Sequence, residues 1–256
     1  MIELDSLTFA YPGGGPVFED FHWQVGAGEA WAVLGPSGCG KTTLLYLLAG
    51  LRHPTAGAIR ISGEALARPR PRTGLILQDY GLLPWATVRE NIALGLRIRG
   101  FYGPDGRHAP SDEQLGRLED RLELWLDRMA LRQVADHYPG QVSGGQRQRV
   151  AIARTLALDP DLLLMDEPFA SLDAPTRESL QSLTLQLRAE RQLTTVLVTH
   201  AIEEAAILGR RILVLGRPPT RRAPIVENPD SAQADFRTTA AYHQRCQELR
   251  LALEAA

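Results

Sequence analysis

The sequence predicts an α/β fold built on a mostly parallel sheet. Residues 30–35 (AWAVLG), 73–78 (TGLILQ), 161–166 (DLLLMD), 194–200 (TTVLVTH) and 211–216 (RILVLG) are short, near-continuous apolar runs, the pattern of strands covered on both faces. Helical patterns separate several of these runs, as crossovers between parallel strands require. Ahead of them, IELDSLTFAY (2–11) and FHWQV (21–25) alternate apolar and polar residues and read as an antiparallel pair at the side of the sheet.

The chain has 256 residues, 44% of them hydrophobic and 23% charged, enough to bury a sizeable core. Its formal net charge of −2 gives no basic field for nucleic acid. No apolar run reaches the roughly 20 residues that span a bilayer. The start, MIELDSLTF, is acidic where a secretion signal is basic, so the chain is expected to stay in the cytosol. Cys39 and Cys246 are too few and too far apart for a disulfide framework or a metal site and are read as free thiols.

Residues 35–43, GPSGCGKTT, carry the strongest local signal. Gly35, Pro36, Ser37, Gly38, Cys39, Gly40, Lys41, Thr42 and Thr43 follow an apolar strand and open a helical run, which is the setting a phosphate-binding loop needs. Glycines let backbone N–H groups wrap around phosphates, and the helix N-terminus adds partial positive charge. Lys41 is the only lysine in the chain; every other cationic side chain apart from histidine is arginine. A compact ammonium reaches phosphate oxygens as a point charge, which a planar guanidinium does not. The Thr42 hydroxyl is positioned for Mg²⁺.

The next region, about 85–150, reads as an inserted helical lobe. Within it FYGPDGRHAPSD (101–112) carries turn formers and reads as a loop. Ser111 and Gln114 have the spacing of a capping box, and Leu115, Leu118, Leu122, Trp125 and Met129 recur at helical steps as one apolar stripe. Ser143 and Gln146 form a second such pair ahead of RQRVAIARTLAL. Gly144 and Gly145 between them strip side chains from the first turn and expose backbone donors to an anion.

Two carboxylates close the buried run at 161–166. Asp166 ends the strand as a Mg²⁺ partner, and Glu167 follows it, placed to polarise an attacking water. Residues 217–256 begin with a proline- and arginine-rich linker and end in a helical pattern, a C-terminal extension too short for an added regulatory domain.

Taken in order, the phosphate loop, Gln78, the Ser143–Gln146 signature, LLLMDEP, SLD at 171–173 and His200 make the sequence resemble the ATP-binding subunits of ABC transporters over nearly its whole length. The resemblance implies a RecA-like P-loop NTPase core over 1–216, with an antiparallel β side subdomain and the helical lobe inserted, followed by the extension 217–256. It also implies ATP and Mg²⁺ as ligands. Tyr11 then matches the aromatic that stacks on adenine, Gln78 senses Mg²⁺ and the water, and His200 meets the γ-phosphate. Family members work as head-to-tail pairs, so Ser143, Gly144, Gly145 and Gln146 close on the mate's phosphate loop and Asp173 crosses the boundary.

LLPWATVRENIALGL (82–96) resembles the stretch that receives the permease in importers, and more narrowly the cassettes for nitrate, sulfonate and taurine-type solutes, as does RILVLGRPPTRRAPI. Val142 departs from the leucine usual before the signature serine. The implied partners are membrane permease subunits, a second ATPase subunit and, indirectly, a solute-binding protein, with the chain peripheral on the cytoplasmic face. The alternative is a soluble ABC-type ATPase acting on nucleic acid or ribosomes, which usually carries long coiled-coil inserts or two cassettes in one chain; this sequence has neither.

Overall fold

A computed structural model describes residues 1–233 and 235–256, leaving out Ala234 of the expected C-terminal extension. In chain order the elements are β1 (Ile2–Ala10), β2 (Pro16–Val25), β3 (Ala30–Leu34), α1 (Lys41–Leu48), β4 (Ala56–Ile61), β5 (Glu64–Ala65), β6 (Thr73–Ile76), α2 (Val88–Tyr102) and α3 (Leu118–Arg128). They continue with α4 (Gly144–Leu156), β7 (Leu162–Asp166), α5 (Ala174–Arg191), β8 (Thr194–Thr199), α6 (Ile202–Leu208), β9 (Arg211–Val214), β10 (Ile225–Glu227) and α7 (Ala240–Ala255). Short 3₁₀ turns fill several connections. No helix among the described residues is long and apolar enough to cross a membrane.

The chain forms two compact units, the first comprising Met1–Pro69, Leu164–Glu167 and Thr184–Ala256. Its antiparallel sheet has the order β2-β1-β4-β5, and Ile2 pairs with Val25 on one side and Ile61 on the other. β1 buries Ile2 and Leu4, then Leu7 and Phe9: the period-two alternation holds on either side of a register shift between Leu4 and Leu7, where Ser6 takes φ 48°. In the second sheet β3 lies between β8 and β9, parallel to both, with Val33 opposite Val198 and Leu213. Every residue of β3 and β8 is buried, which explains why those runs show no alternation.

The C-terminal extension belongs to this first unit. Residues expected as a linker are tied down: Thr220 N–H donates to Val17 O (2.9 Å), and Glu19 N–H donates to Thr220 O (3.1 Å). β10 pairs antiparallel with β9. Leu249 of α7 is buried against Ala32, Leu34, Ala205, Ala206, Ile212 and Val214, with Tyr242, Cys246 and Leu253 packed around it.

The second unit comprises Arg70–Leu163 and Pro168–Leu183. α2 carries a full capping box: Thr87 Oγ1 accepts from Glu90 N–H (3.2 Å), and Thr87 N–H donates to Glu90 Oε2 (2.8 Å). Asn91, fully buried on α2, holds the turn before the helix, accepting from Leu83 N–H (2.8 Å) and donating to the carbonyls of Leu83, Ala86 and Thr87.

The capping box expected at Ser111 and Gln114 does not form. Gln114 instead precedes a 3₁₀ turn over Leu115–Arg117, and α3 begins at Leu118 without a side-chain cap. Tertiary ion pairs account for the difference. Glu113 is buried between Arg99 of α2 and Arg121 of α3, Arg99 also donates to Pro71 O (2.6 Å), and Asp112 is held by Arg72 at 2.6 Å. Those anchors keep 111–114 out of the helix. Leu115 is consequently 42% exposed, whereas Leu122, Trp125 and Met129 are buried as the stripe predicts. The loop expected at 101–112 starts two residues later, because Phe101 and Tyr102 complete α2.

Candidate functional site

In the first unit the loop between β3 and α1 builds the site. Gly40 occupies the N-cap position of α1 with φ 104°, a backbone region that favours glycine, and makes no side-chain cap. The first turn of α1 therefore keeps its N–H groups free of a local side-chain acceptor. Lys41, only 6% exposed, folds back over the loop and donates from Nζ to Gly35 O (2.8 Å) and Pro36 O (2.9 Å). These carbonyls hold the ammonium by two of its three donors and aim its charge along the loop.

Thr42 Oγ1 donates to Asp166 Oδ1 at 3.1 Å, joining the start of α1 to the end of β7. Burial pushes the Asp166 carboxyl above the ordinary value; the hydroxyl bond and Lys41 counter this in part, while the neighbouring Glu167 charge adds to it. Glu167 follows with φ 43°, a left-handed backbone that is uncommon for a residue with a side chain and occurs at functional turns. Its N–H donates to Val198 O at 3.0 Å, anchoring the turn to β8. Its carboxylate then meets His200 just beyond β8, with Oε2 3.0 Å from Nδ1.

Tyr11, at the end of β1, is 39% exposed and fixed from three sides. Its hydroxyl bonds Thr43 Oγ1 (3.0 Å), the Phe9 ring meets it edge-on at 5.0 Å, and the Arg52 guanidinium lies 5.7 Å above the ring. The first unit thus brings together Tyr11, the phosphate loop, Asp166, Glu167 and His200. Cys39 is buried in the same loop, and burial raises its thiol above the ordinary value.

Gln78, Ser143, Gly144, Gly145, Gln146 and Asp173 lie in the second unit. Ser143 caps α4 as expected: Oγ accepts from Gln146 N–H (3.2 Å), and Ser143 N–H donates to Gln146 Oε1 (2.9 Å). Gly145 is required by packing, since a Cβ there would stand 2.5 Å from Thr176 Cγ2 of α5. Asp173 caps α5, accepting from Thr176 N–H at 3.3 Å, and the Thr176 hydrogen bonds hold its carboxyl below the ordinary value. Gln78 is exposed beyond β6.

The sequence reading missed a set of residues around Gln78. Tyr80 and Gly81 both take left-handed backbones, and Arg154 of α4 donates to the carbonyls of Tyr80 (2.8 Å) and Gly81 (2.6 Å). Arg147 lies one heptad earlier on the same helix, with its guanidinium 5.8 Å from the Tyr80 ring. The seven-residue spacing of those arginines, one helix face, was the signal available.

A Lys–Thr phosphate loop, an Asp–Glu pair ending a buried strand and a doubly glycine-led helix together define a nucleotide-hydrolysing cassette. The chain belongs to the ABC transporter family, whose model matches residues 18–170. It is 42% identical over 221 residues to the taurine import ATP-binding protein TauB of Escherichia coli O157:H7, covering 86% of this chain and 82% of that one. It is 39% identical over 239 residues to the protein of the same name from Jannaschia sp. (strain CCS1), covering 91% and 84%. Among solved structures it resembles the dimeric post-hydrolysis state of the ATP-binding cassette MJ0796 bound to ADP and Pi, with TM-score 0.74, 30% identity and coverage of 89% and 98%. The structure of cbiO1 from Clostridium perfringens shares the fold with TM-score 0.75 at 22% identity, over 99% of this chain and 98% of that one. The chain binds and hydrolyses ATP.

Proposed function

We propose that this chain powers an importer for taurine or a related small solute of the sulfonate and nitrate kind, as one of two cassettes bound head-to-tail beneath a membrane permease. The observation that carries this reading is the 42% identity to a taurine import ATP-binding protein across 221 residues, a span that includes chemistry from both units. The exposed Trp85, at 74%, stands in the 82–96 stretch expected to receive the permease and supports that assignment. A solute-binding protein delivers the solute on the far side, and the cassette sits on the cytoplasmic face.

Tyr11 offers its ring face to adenine, and the phosphate loop from Gly35 to Thr43 receives the phosphates, Lys41 supplying the point charge. Thr42 Oγ1 and Asp166 Oδ1 form a hard-oxygen pair 3.1 Å apart, a donor set that fits Mg²⁺ completed by phosphate and water oxygens. Mg²⁺ held by Thr42 and Asp166 would supply positive charge to the phosphates. Gln78 reports on that metal and the water. Glu167 orients and deprotonates the water, with His200 fixing the carboxylate at 3.0 Å and reaching the γ-phosphate.

Ser143, Gly144, Gly145 and Gln146 close on the phosphate loop of the mate, and Asp173 crosses to it. Moving a two-state equilibrium from mostly open to mostly closed takes about 5.5 kcal/mol of differential binding. Charge-assisted hydrogen bonds of about 1.5–3 kcal/mol each supply that when several form only in the closed pair. Hydrolysis removes the bridging phosphate and reopens it.

Glu167→Gln tests the assignment. The amide keeps the shape but accepts no proton, so the variant retains ATP binding, loses about 10²–10⁴ in hydrolysis and accumulates as a dimer with ATP in light scattering. Hydrolysis at the parental rate rejects the role of Glu167. For the solute, the assembled complex in vesicles should hydrolyse ATP faster with taurine-loaded binding protein; no response to taurine, sulfonates or nitrate rejects that part.

A further inference from the structure

One residue of the second unit ties together three motifs that the sequence presents as separate. Tyr80, two residues after Gln78, donates to or accepts from Ser171 Oγ through its hydroxyl at 2.7 Å, and Ser171 opens the SLD turn that leads to Asp173. Its carbonyl and that of Gly81 are both captured by Arg154, whose guanidinium is well removed from water and held below its ordinary value by that burial. Its ring faces Arg147, which in turn donates to Val142 O (2.7 Å) and Pro139 O (3.3 Å), fixing the chain just before Ser143.

The backbone argues that the side chain matters. Tyr80 has φ 66°, where glycine is at home and a bulky residue is disfavoured, and the next residue, Gly81, is a glycine at φ 57°. The ring and hydroxyl carried on this turn can offset its cost only through the contacts they make themselves. Both are occupied, one by Arg147 and the other by Ser171. Gly144 adds to the closeness, since a Cβ there would lie 3.8 Å from the Tyr80 hydroxyl and 3.7 Å from Leu172.

We propose that Tyr80 is a positioning residue for ATP hydrolysis: through Ser171 and Arg147 it locks the Gln78 loop, the SLD turn and the start of the signature helix into one rigid body. The inference rests on the proposed roles of Gln78, Ser143 and Asp173. Gln78 addresses the nucleotide of its own chain, while Ser143 and Asp173 address the mate. A body joining them makes closure on one nucleotide register at the other. Loss of the lock leaves each segment able to bind but spreads their orientations, and orientation is what the transition state demands.

The test uses Tyr80→Phe, which deletes one oxygen and keeps the ring over Arg147, and Ser171→Ala, which removes the other end of the same bond. In the assembled transporter each lowers kcat about three- to tenfold, the range a single hydrogen bond commands, with KM for ATP unchanged. The double variant falls no further than either single one, because both remove the same bond. Parental kcat in Tyr80→Phe, additive losses in the double variant, or a raised KM at constant kcat each overturns the proposal. Thermal melting of each variant checks folding; if Tyr80→Phe melts early, Ser171→Ala and its KM–kcat split decide alone. Gln78→Ala, measured alongside, tests the underlying reading: parental kcat there sinks the role of Gln78 whatever Tyr80 does.

Discussion

Lys41→Arg preserves charge and changes only how it is delivered, so it isolates the reason a single lysine sits in this chain. Nζ lies 2.8 Å from Gly35 O and 2.9 Å from Pro36 O in a pocket that leaves the side chain 6% exposed. A guanidinium carries its donors in a rigid planar fork and is larger than an ammonium. Fitting it into a packed site costs about 1–3 kcal/mol of strain, which thermal melting reads directly. Displacing the charge by the width of that fork also forfeits about one charge-assisted hydrogen bond to the phosphates, roughly 1.5–3 kcal/mol. At about 1.36 kcal/mol per decade, kcat/KM for ATP falls about 10- to 150-fold. Phosphate release by the purified complex over a range of ATP concentrations measures it, with Lys41→Ala as the reference for complete loss of charge. Parental kcat/KM in Lys41→Arg refutes the reasoning, because it would mean that charge alone suffices and the point-charge geometry is irrelevant.

Asp166→Asn should separate stability from activity. A buried carboxylate whose ionised form is penalised by desolvation is replaced by a neutral amide that still accepts from Thr42, so without nucleotide the variant melts no lower than the parent at neutral pH. Hydrolysis and the stabilisation given by ATP with Mg²⁺ are both lost; a lower melting temperature in the absence of nucleotide counts against the argument. Gly145→Ala places a Cβ 2.5 Å from Thr176 Cγ2 and should destabilise the chain by about 1–3 kcal/mol. Thr176→Ser removes the obstructing methyl, so the double variant regains its melting temperature; if Gly145 also closes on the mate's nucleotide as proposed, that double variant still hydrolyses at least about tenfold more slowly. Full recovery of turnover in the double variant restricts Gly145 to a packing role.

What the sequence made legible was what depends on neighbours along the chain. The apolar runs at 30–35, 161–166 and 194–200 became β3, β7 and β8 because burial on both faces leaves a continuous hydrophobic signature. The capping box at Ser143 and Gln146 formed because its partners lie three residues apart on a helix that nothing else competes for. The identical spacing at Ser111 and Gln114 failed for a reason no local rule contains. The Glu113 side chain, 1% exposed, is claimed by arginines 14 residues before it and 8 after it, and a buried carboxylate that loses one such partner costs about 3–5 kcal/mol, several times what a cap returns.

The same imbalance explains the site. Lys41, Thr42, Asp166 and Glu167 could be read because phosphate and metal chemistry fixes residue type and spacing within two short segments. The orientation of Glu167 toward His200 could not, since it depends on a left-handed backbone at Glu167 and on Val198 accepting its N–H across the sheet. Tyr80 repeats the case in the second unit: its positive φ and its reach to Ser171, 91 residues away, leave no periodic trace. Both residues hold their backbone in a conformation that costs energy, and in both the side chain so aimed meets a partner from a distant motif. Positive φ by itself does not mark function, since Ser6, Asp20, Ser62, Ala130, Asp159, Gln192 and Asp235 share it; at Glu167 and Tyr80 it coincides with a side chain that meets a distant motif. Tyr80→Gly relieves the backbone strain but removes the ring contact with Arg147 along with the hydroxyl, so it should lower kcat further than Tyr80→Phe in the same phosphate-release assay; a kcat no lower than that of Tyr80→Phe would leave the ring no part in positioning.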